Sequence, residues 1–377
     1  MYRDHTVGVV VPAYNESGHI GTVIKTMPAY VDRIYLVDDA STDETWEEAL
    51  SAARDEADAE IETATESESE STAVSDGGTS DGGEGIRSDD ESGELQTDGG
   101  TALLDERARV HAQEGRLIPI RHRENLGAGG AIKTGYLAAR RDGVDITVTM
   151  DGDGQMDPEQ MSKLLDPIAE GEADYAKGNR LLYREYRQEM PRFRFLGNSI
   201  LTFLTKIASG YWKTMDPQNG YTAISQYALE NVGVEAMYEY YGYCNDVLVR
   251  LNAKGMRVAD VAMPAKYGDE ESSINYPTYI RKVSGMLLRD FLWRLKVKYL
   301  VLDFHPLALF YLFGATTTGV GTVSLGWSAY AALAQGRSFF VLGSLSLLLS
   351  TLGVVCLMFA MLFDMQVNED REVQIHD

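Results

Sequence analysis

Residues 304–336 and 338–363 contain no Asp, Glu, Lys or Arg. No other feature narrows the fold as much. Only an internally hydrogen-bonded backbone is tolerated in hydrocarbon, and a helix needs about 20 apolar residues to cross it. Each run is long enough, with some tilt. The link between them, Ala334-Gln335-Gly336-Arg337, is very short. A hairpin of two transmembrane helices is expected over residues 304–364, followed by an acidic tail, 365–377, on the side from which the hairpin entered.

Before the first run stand Arg281, Lys282, Arg289, Arg294, Lys296 and Lys298. Lys282, Arg289 and Lys296 recur every seven residues and so form one stripe on a helix. Ile280, Leu287, Leu288, Phe291, Leu292 and Leu295 cover the other faces. Residues 276–303 are expected to be an interfacial amphipathic helix lying on a lipid membrane. The positive-inside rule puts that helix in the cytoplasm. The amino terminus lacks the basic flank and apolar core of a signal peptide. The expectation is a multi-pass cell-membrane protein with its first domain cytoplasmic.

That first domain reads as α/β. Val7, Val9, Val10 and Val11 belong to a run apolar on both faces, as in a central parallel strand. A polar turn, Ala13-Tyr14-Asn15-Glu16-Ser17, follows it, then a helix over about 20–27. A second strand, 33–37, ends in Asp38-Asp39-Ala40-Ser41-Thr42-Asp43. Strand, polar turn, helix, strand, acidic turn, helix opens a doubly wound sheet. Further strands are predicted at 117–120, 146–150, 175–180, 222–225 and 258–263. Helices are predicted from about 125 to 141, from 157 to 169, from 193 to 208 and from Asn245 onward.

The strand at 146–150 delivers Asp151-Gly152-Asp153-Gly154-Gln155. Two carboxylates one residue apart thus sit at the carboxyl end of a strand, where open α/β sheets bind ligands. Carboxylates this close repel unless a cation lies beside them. Mg²⁺ or Mn²⁺ bridging to phosphate oxygens suits such a pair, both ions being hard. The glycine-rich turn Asn125-Leu126-Gly127-Ala128-Gly129-Gly130 opens a helix whose free N–H groups face an anion well. Arg180, ending a strand, offers a fork of donors to phosphate.

The net charge of −23 argues against nucleic acid as a partner. The charge is uneven: residues 55–106 hold 18 acidic residues against Arg87 alone. Within them, residues 62–100 carry almost no large apolar side chain and cannot offset the entropy of ordering. They are expected to be a disordered insertion in a first domain covering residues 1–275. The cysteines, Cys244 and Cys356, are not expected to pair.

Taken in order, VVVPAYNES, VDDASTDET, NLGAGGAIKTGY, MDGDGQMDPE, KGNR and DPQNGY resemble family-2 glycosyltransferases of the GT-A fold. Among these the chain is most similar to the polyprenyl-phosphate sugar synthases, such as dolichyl-phosphate mannose or glucose synthase. The resemblance covers residues 9–267. It implies a Rossmann-like, mostly parallel nucleotide-sugar-binding sheet. It implies inverting, metal-dependent transfer of a hexose from a donor of the GDP-mannose or UDP-glucose type to a polyprenyl (dolichyl) phosphate. Pro12, Tyr14 and Glu16 would line the nucleotide, Asp39 would read its base, and Lys133 lies in the motif counted with them. Asp151 and Asp153 would hold the metal, Gln155 would approach the donor sugar or acceptor, and Arg180 a phosphate.

Many relatives also carry V-P-x-x-Y-x-x-R-x-x-G-x-S near the acceptor. Here residues 263–273 lack the Arg and put acid in its place, so Lys266, Arg192 or Arg194 would have to substitute. The competing reading is a membrane transferase acting on a hydroxyl of a lipid-linked glycan or polysaccharide. That reaction needs a general base, for which Asp246 is the candidate. The sequence leaves an oligomer open.

Overall fold

The computed structural model describes residues 1–71, 99–182, 192–264, 276–302 and 304–375, and the chain forms two compact units, Met1–Glu159 and Gln160–Asp377.

In the first unit the strands are β1 (Val7–Ala13), β2 (Arg33–Asp38), β3 (Ala108–Val110), β4 (Leu117–His122) and β5 (Ile146–Thr149). They lie in the order β3-β4-β2-β1-β5. All pair in parallel except the edge strand β3, which runs antiparallel to β4. Val9, Val10, Val11, Ile34, Leu36, Val37, Ile146 and Val148 are wholly buried. Both faces of these strands are covered, which is why they read as unbroken apolar runs rather than alternating ones. The helices are α1 (Ile20–Lys25), α2 (Thr45–Ser71), α3 (Gly99–Arg107) and α4 (Ala128–Arg141). Helix α2 runs on through residues 62–71, part of the expected insertion, where Ala and Glu are good helix formers. Residues 72–98, the rest of that insertion, lie outside the described residues.

In the second unit the helices are α5 (Met161–Ala169), α6 (Arg192–Ser209), α7 (Gln226–Asn231), α8 (Tyr243–Ala253), α9 (Tyr276–Lys296), α10 (Leu307–Gln335) and α11 (Phe340–Asn368). Its strands β6 (Tyr175–Asn179), β7 (Thr222–Ser225), β8 (Val258–Ala262) and β9 (Glu372–Ile375) lie in the order β7-β6-β8-β9. Strand β9 comes from the segment expected to be an acidic tail. It pairs in parallel with β8, Val258 facing Glu372 and Val261 facing Ile375.

Helices α10 and α11 have 29 residues each and are long and apolar enough to cross a membrane. Their outward side chains stay uncovered, Leu333 at 91% and Phe340 at 78% exposure. Between them the helices approach closely at small residues. A Cβ on Gly314 would stand 2.9 Å from the Leu357 nitrogen and 3.0 Å from the Gly353 oxygen. Small residues of this kind let helices pack in lipid without a hydrophobic drive.

Helix α9 buries Val283, Met286 and Leu287 against Leu201 and Ala208 of α6 and Val249 of α8. Lys282, Arg289 and Lys296 are exposed, as the seven-residue spacing predicts, together with Ile280, Leu288 and Leu292. Arg294 departs from that group of surface charges. It is wholly buried and makes a two-pronged ion pair with Asp364 of α11, at 2.9 and 2.8 Å. Lys298 also turns inward, to Asn252 at 2.7 Å and Asn368 at 2.6 Å. The base of the hairpin is therefore tied to α8 and α9 by polar contacts that are buried but paired, as buried charge requires.

Candidate active site

In the first unit, the loops at the carboxyl ends of β1, β2 and β5 are stitched to one another. The Asp39 nitrogen donates to the Ala13 oxygen at 2.9 Å and the Gly152 nitrogen to the Pro12 oxygen at 3.3 Å. The Asn15 nitrogen donates to Ser41 Oγ at 3.0 Å, and the Glu16 nitrogen to Thr45 Oγ1 at 2.8 Å. Asn15 and Ala40 hold positive φ, 58° and 61°, so both turns carry backbone strain. A Cβ at 152 would crowd the Pro12 oxygen at 3.0 Å and Ile20 Cδ1 at 3.3 Å, so glycine eases the close approach. The acidic turn thereby lies flat on the first loop.

Asp151 and Asp153 are half-buried on that turn. Asp153 Oδ1 accepts from the Gln155 nitrogen at 2.9 Å, an Asx turn that fixes the carboxylate and orients Gln155. Asp153 makes no ion pair among the described residues. Oxygen donors of this kind fit Mg²⁺ or Mn²⁺. Among the described residues no group of three or more His, Cys, Asp and Glu comes together. The pair alone cannot fill a coordination shell, so an ion held there would need further oxygens from outside the protein.

Asp39 is 3% exposed and both its oxygens are engaged. Oδ1 accepts from the Leu126 nitrogen and Oδ2 from the Gly127 nitrogen, each at 2.8 Å. His122 Nδ1 lies 2.6 Å from Oδ1, and Thr134 Oγ1 lies 2.7 Å from His122 Nε2. Asp39 therefore holds the glycine-rich turn that opens α4, and a base would have to share it. Asp38 accepts from the Ser41 nitrogen at 3.0 Å and forms an ion pair with the Arg121 guanidinium at 2.9 Å. Tyr14 is exposed, Pro12 and Glu16 are half-buried, and Lys133 is buried on α4.

Arg180 and Asp246 belong to the second unit, each with its own partners. Arg180 gives Nε to Asp216 Oδ2 at 2.7 Å and NH2 to Oδ1 at 2.9 Å. Burial pushes the Asp216 carboxyl up, but the charge and hydrogen bonds of Arg180 prevail and hold it below the usual carboxylate range. Asp246, in the first turn of α8, is buried. Its Oδ2 accepts from the Tyr238 nitrogen and from Arg250 Nε, both at 2.8 Å. Arg192 and Arg194 begin α6, but their side chains lie outside the described residues, as do Lys266 and most of the acceptor segment, 265–275.

The sequence pattern described as "Glycosyl transferase family 2" matches residues 8–77 and 91–233, more than half of the 377 residues. The chain belongs to that family. It is 32% identical over 152 residues to the UDP-N-acetylglucosamine–dolichyl-phosphate N-acetylglucosaminyltransferase of Methanococcus voltae, covering 40% of this chain and 60% of that protein. It is 28% identical over 204 residues to the polyprenol monophosphomannose synthase of Mycolicibacterium smegmatis, covering 52% of this chain and 70% of that protein. Among solved structures, glucosyl-3-phosphoglycerate synthase from Mycobacterium tuberculosis superposes with a TM-score of 0.46. The sequence identity is 18%, covering 78% of this chain and 81% of the other.

Three residues of this family-2 chain escaped sequence reasoning. His122 and Thr134 support Asp39 from β4 and α4, and nothing in their spacing pairs them with it. Asp216 was visible inside DPQNGY, but as a turn residue. Its positive φ of 47° and its grip on Arg180 appear only in three dimensions.

Proposed function

We propose that the protein transfers a hexose, with inversion, from a nucleoside diphosphate sugar to a polyprenyl phosphate at the cytoplasmic membrane face. The observation that carries this reading is the hydrogen-bonded edge joining Pro12, Asp39 and Gly152 beside the acidic pair, in a family-2 chain that carries an apolar helical hairpin. Two relatives are named as a dolichyl-phosphate N-acetylglucosaminyltransferase and a polyprenol monophosphomannose synthase, which supports this reading.

Each unit offers groups of its own. In the first, Pro12, Tyr14, Glu16 and Lys133 bind the nucleotide, while Asp39 fixes the glycine-rich turn whose N–H groups face the diphosphate. Asp151 and Asp153 would hold Mg²⁺ or Mn²⁺, which would supply Lewis-acid stabilisation of the charge on the leaving diphosphate. Gln155, held by its Asx turn, orients the sugar. In the second unit Arg180, held by Asp216, offers its guanidinium to a phosphate. A lipid phosphate is mostly dianionic near neutral pH, its second pKa being about 6. It attacks the anomeric carbon without giving up a proton, so no general base is required. Asp246, buried and paired with Arg250, is not called on as a base in this reading. The exposed cations Lys282 and Lys296 and the apolar Leu288 and Leu292 lay α9 on the membrane where such head groups sit.

Incubating the purified, detergent-solubilised protein with radiolabelled GDP-mannose, UDP-glucose or UDP-N-acetylglucosamine and polyprenyl phosphate tests this. One sugar per lipid, released by mild acid, is the expected product. Label joined only to another sugar's hydroxyl, or a ladder of chain lengths, would refute it.

A further inference from the structure

The C-terminal strand is joined to the segment that holds Arg180, and this connection has a chemical logic. The backbone from Trp212 to Asp216 belongs to no helix or strand. Its donors must therefore find other acceptors. Glu372, at the start of β9, provides them. One carboxylate oxygen accepts from the Trp212 nitrogen at 2.7 Å. The other accepts from the Lys213 nitrogen at 2.7 Å, the Thr214 nitrogen at 2.8 Å and Thr214 Oγ1 at 3.2 Å. Successive N–H groups converging on one carboxylate form an anion nest, and charge-assisted bonds of this type are about twice as strong as neutral ones. Gln374 adds a bond to the Lys213 oxygen at 3.1 Å.

The next two residues carry the connection onward. The Met215 nitrogen donates to Asp260 Oδ2 at 3.1 Å, and the Met215 oxygen accepts from Lys177 Nζ. Asp216 follows, 1% exposed, and takes the backbone nitrogen, Nε and NH2 of Arg180. The segment is thus held at one end by the tail carboxylate and at the other by Asp260 and Lys177, with Asp216 fixed at positive φ where it leaves them.

We propose that Glu372 is a positioning residue for phosphate binding. By filling the 212–214 nest it sets the segment that orients Asp216 and, through it, the guanidinium of Arg180. The proposal rests on the reading of Arg180 as a phosphate ligand. It makes the segment that follows the hairpin part of the enzyme's working machinery, so that residues beyond α11 tune affinity for the phosphate acceptor.

The test uses the full-length protein in detergent with polyprenyl phosphate as acceptor. Glu372→Gln keeps size and one carbonyl oxygen but loses the charge. It should raise the acceptor KM about tenfold, within the range seen for coupled residues, with nucleoside diphosphate affinity unchanged. Glu372→Asp, which keeps the charge, should recover part of the loss. Gln374→Ala loosens the same segment from its carbonyl side and should shift the acceptor KM in the same direction, which keeps the proposal testable if the Glu372 variants fold poorly. Introduced into Arg180→Ala, which itself raises the acceptor KM, Glu372→Gln should add nothing further. A lowered melting temperature with an unchanged acceptor KM would show a merely structural staple and overturn the proposal. So would an equal added effect in the Arg180→Ala background. If Arg180→Ala alone leaves the acceptor KM unchanged, the phosphate role of Arg180 falls, and the positioning role falls with it, while transfer itself continues.

Discussion

Asp153 shows how one side chain can matter for chemistry without mattering for the fold. Its only structural task among the described residues is to accept the Gln155 nitrogen through Oδ1. An asparagine retains that oxygen. Asp153→Asn should therefore keep the turn, leave the melting temperature unchanged or higher because a repulsive carboxylate is gone, and reduce transfer by about 10²-fold or more. Near-normal turnover at saturating Mg²⁺ or Mn²⁺ would end the metal assignment. Asp290 on α9 behaves in the opposite way. Burial pushes its carboxyl up to about 6; the Arg289 hydrogen bond opposes this and the Asp246 carboxylate adds to it. Its Oδ2 accepts no hydrogen bond among the described residues. Since the folded value lies above the ordinary 3.8, the folded state binds this proton more tightly than the unfolded one. The stabilisation is complete below the ordinary value and is lost as pH rises through about 6. Asp290→Asn should raise the melting temperature at pH ~7.5 and change it little at pH ~4. Equal shifts at both pH values, measured by thermal melts, would refute this.

At the level of elements, what could be read in the sequence follows from burial. Strands β1, β2, β4 and β5 are covered on both faces and announce themselves as apolar runs, and the absence of charge announced α10 and α11. The acidic pair was legible for the same reason, because it follows such a run. Strand β9 was not legible. Glu-Val-Gln-Ile is short and half polar, and its Glu372 looks like a tail charge until the nest that receives it is built. Strand β3 is a three-residue edge with the same problem. The exposure of the stripe on α9 follows from its spacing, while the burial of Arg294 could not be read among the basic residues before the hairpin, since its partner Asp364 lies on another helix. The stripe supports a further prediction. Lys282 sits over the Tyr240 ring at 4.0 Å, and neither it nor Lys296 is ion-paired among the described residues. A cation at an anionic membrane surface contributes about 1 kcal/mol. Reversing both, Lys282→Glu with Lys296→Glu, should raise the acceptor KM several-fold in anionic vesicles and less in uncharged ones, without altering nucleotide affinity. An effect independent of lipid charge would show that these lysines serve the fold instead.

For the molecule as a whole, the question that remains chemical is what attacks the sugar. A phosphate acceptor needs cations to bring it to another anion, and no base. A hydroxyl acceptor needs a base that can take its proton as the bond forms. Asp246 is the residue on which the two diverge. It is 1% exposed, and its Oδ2 already takes the Tyr238 nitrogen and the Arg250 guanidinium. That arrangement braces the first turn of α8 against the 234–238 segment, and an asparagine at 246 retains an oxygen to accept the Tyr238 nitrogen. With polyprenyl phosphate, Asp246→Asn should lower the rate only modestly, through the weakened contact with Arg250. If a hydroxyl were the true acceptor, the same substitution should cost about 10²–10⁴-fold, the usual worth of a general base. Single-turnover transfer rates of the two forms, with the melting temperature followed alongside, separate these outcomes. A large loss in a variant that remains folded would move the assignment to the hydroxyl-directed transferase, and would make Asp246, rather than Arg180, the residue that defines the acceptor.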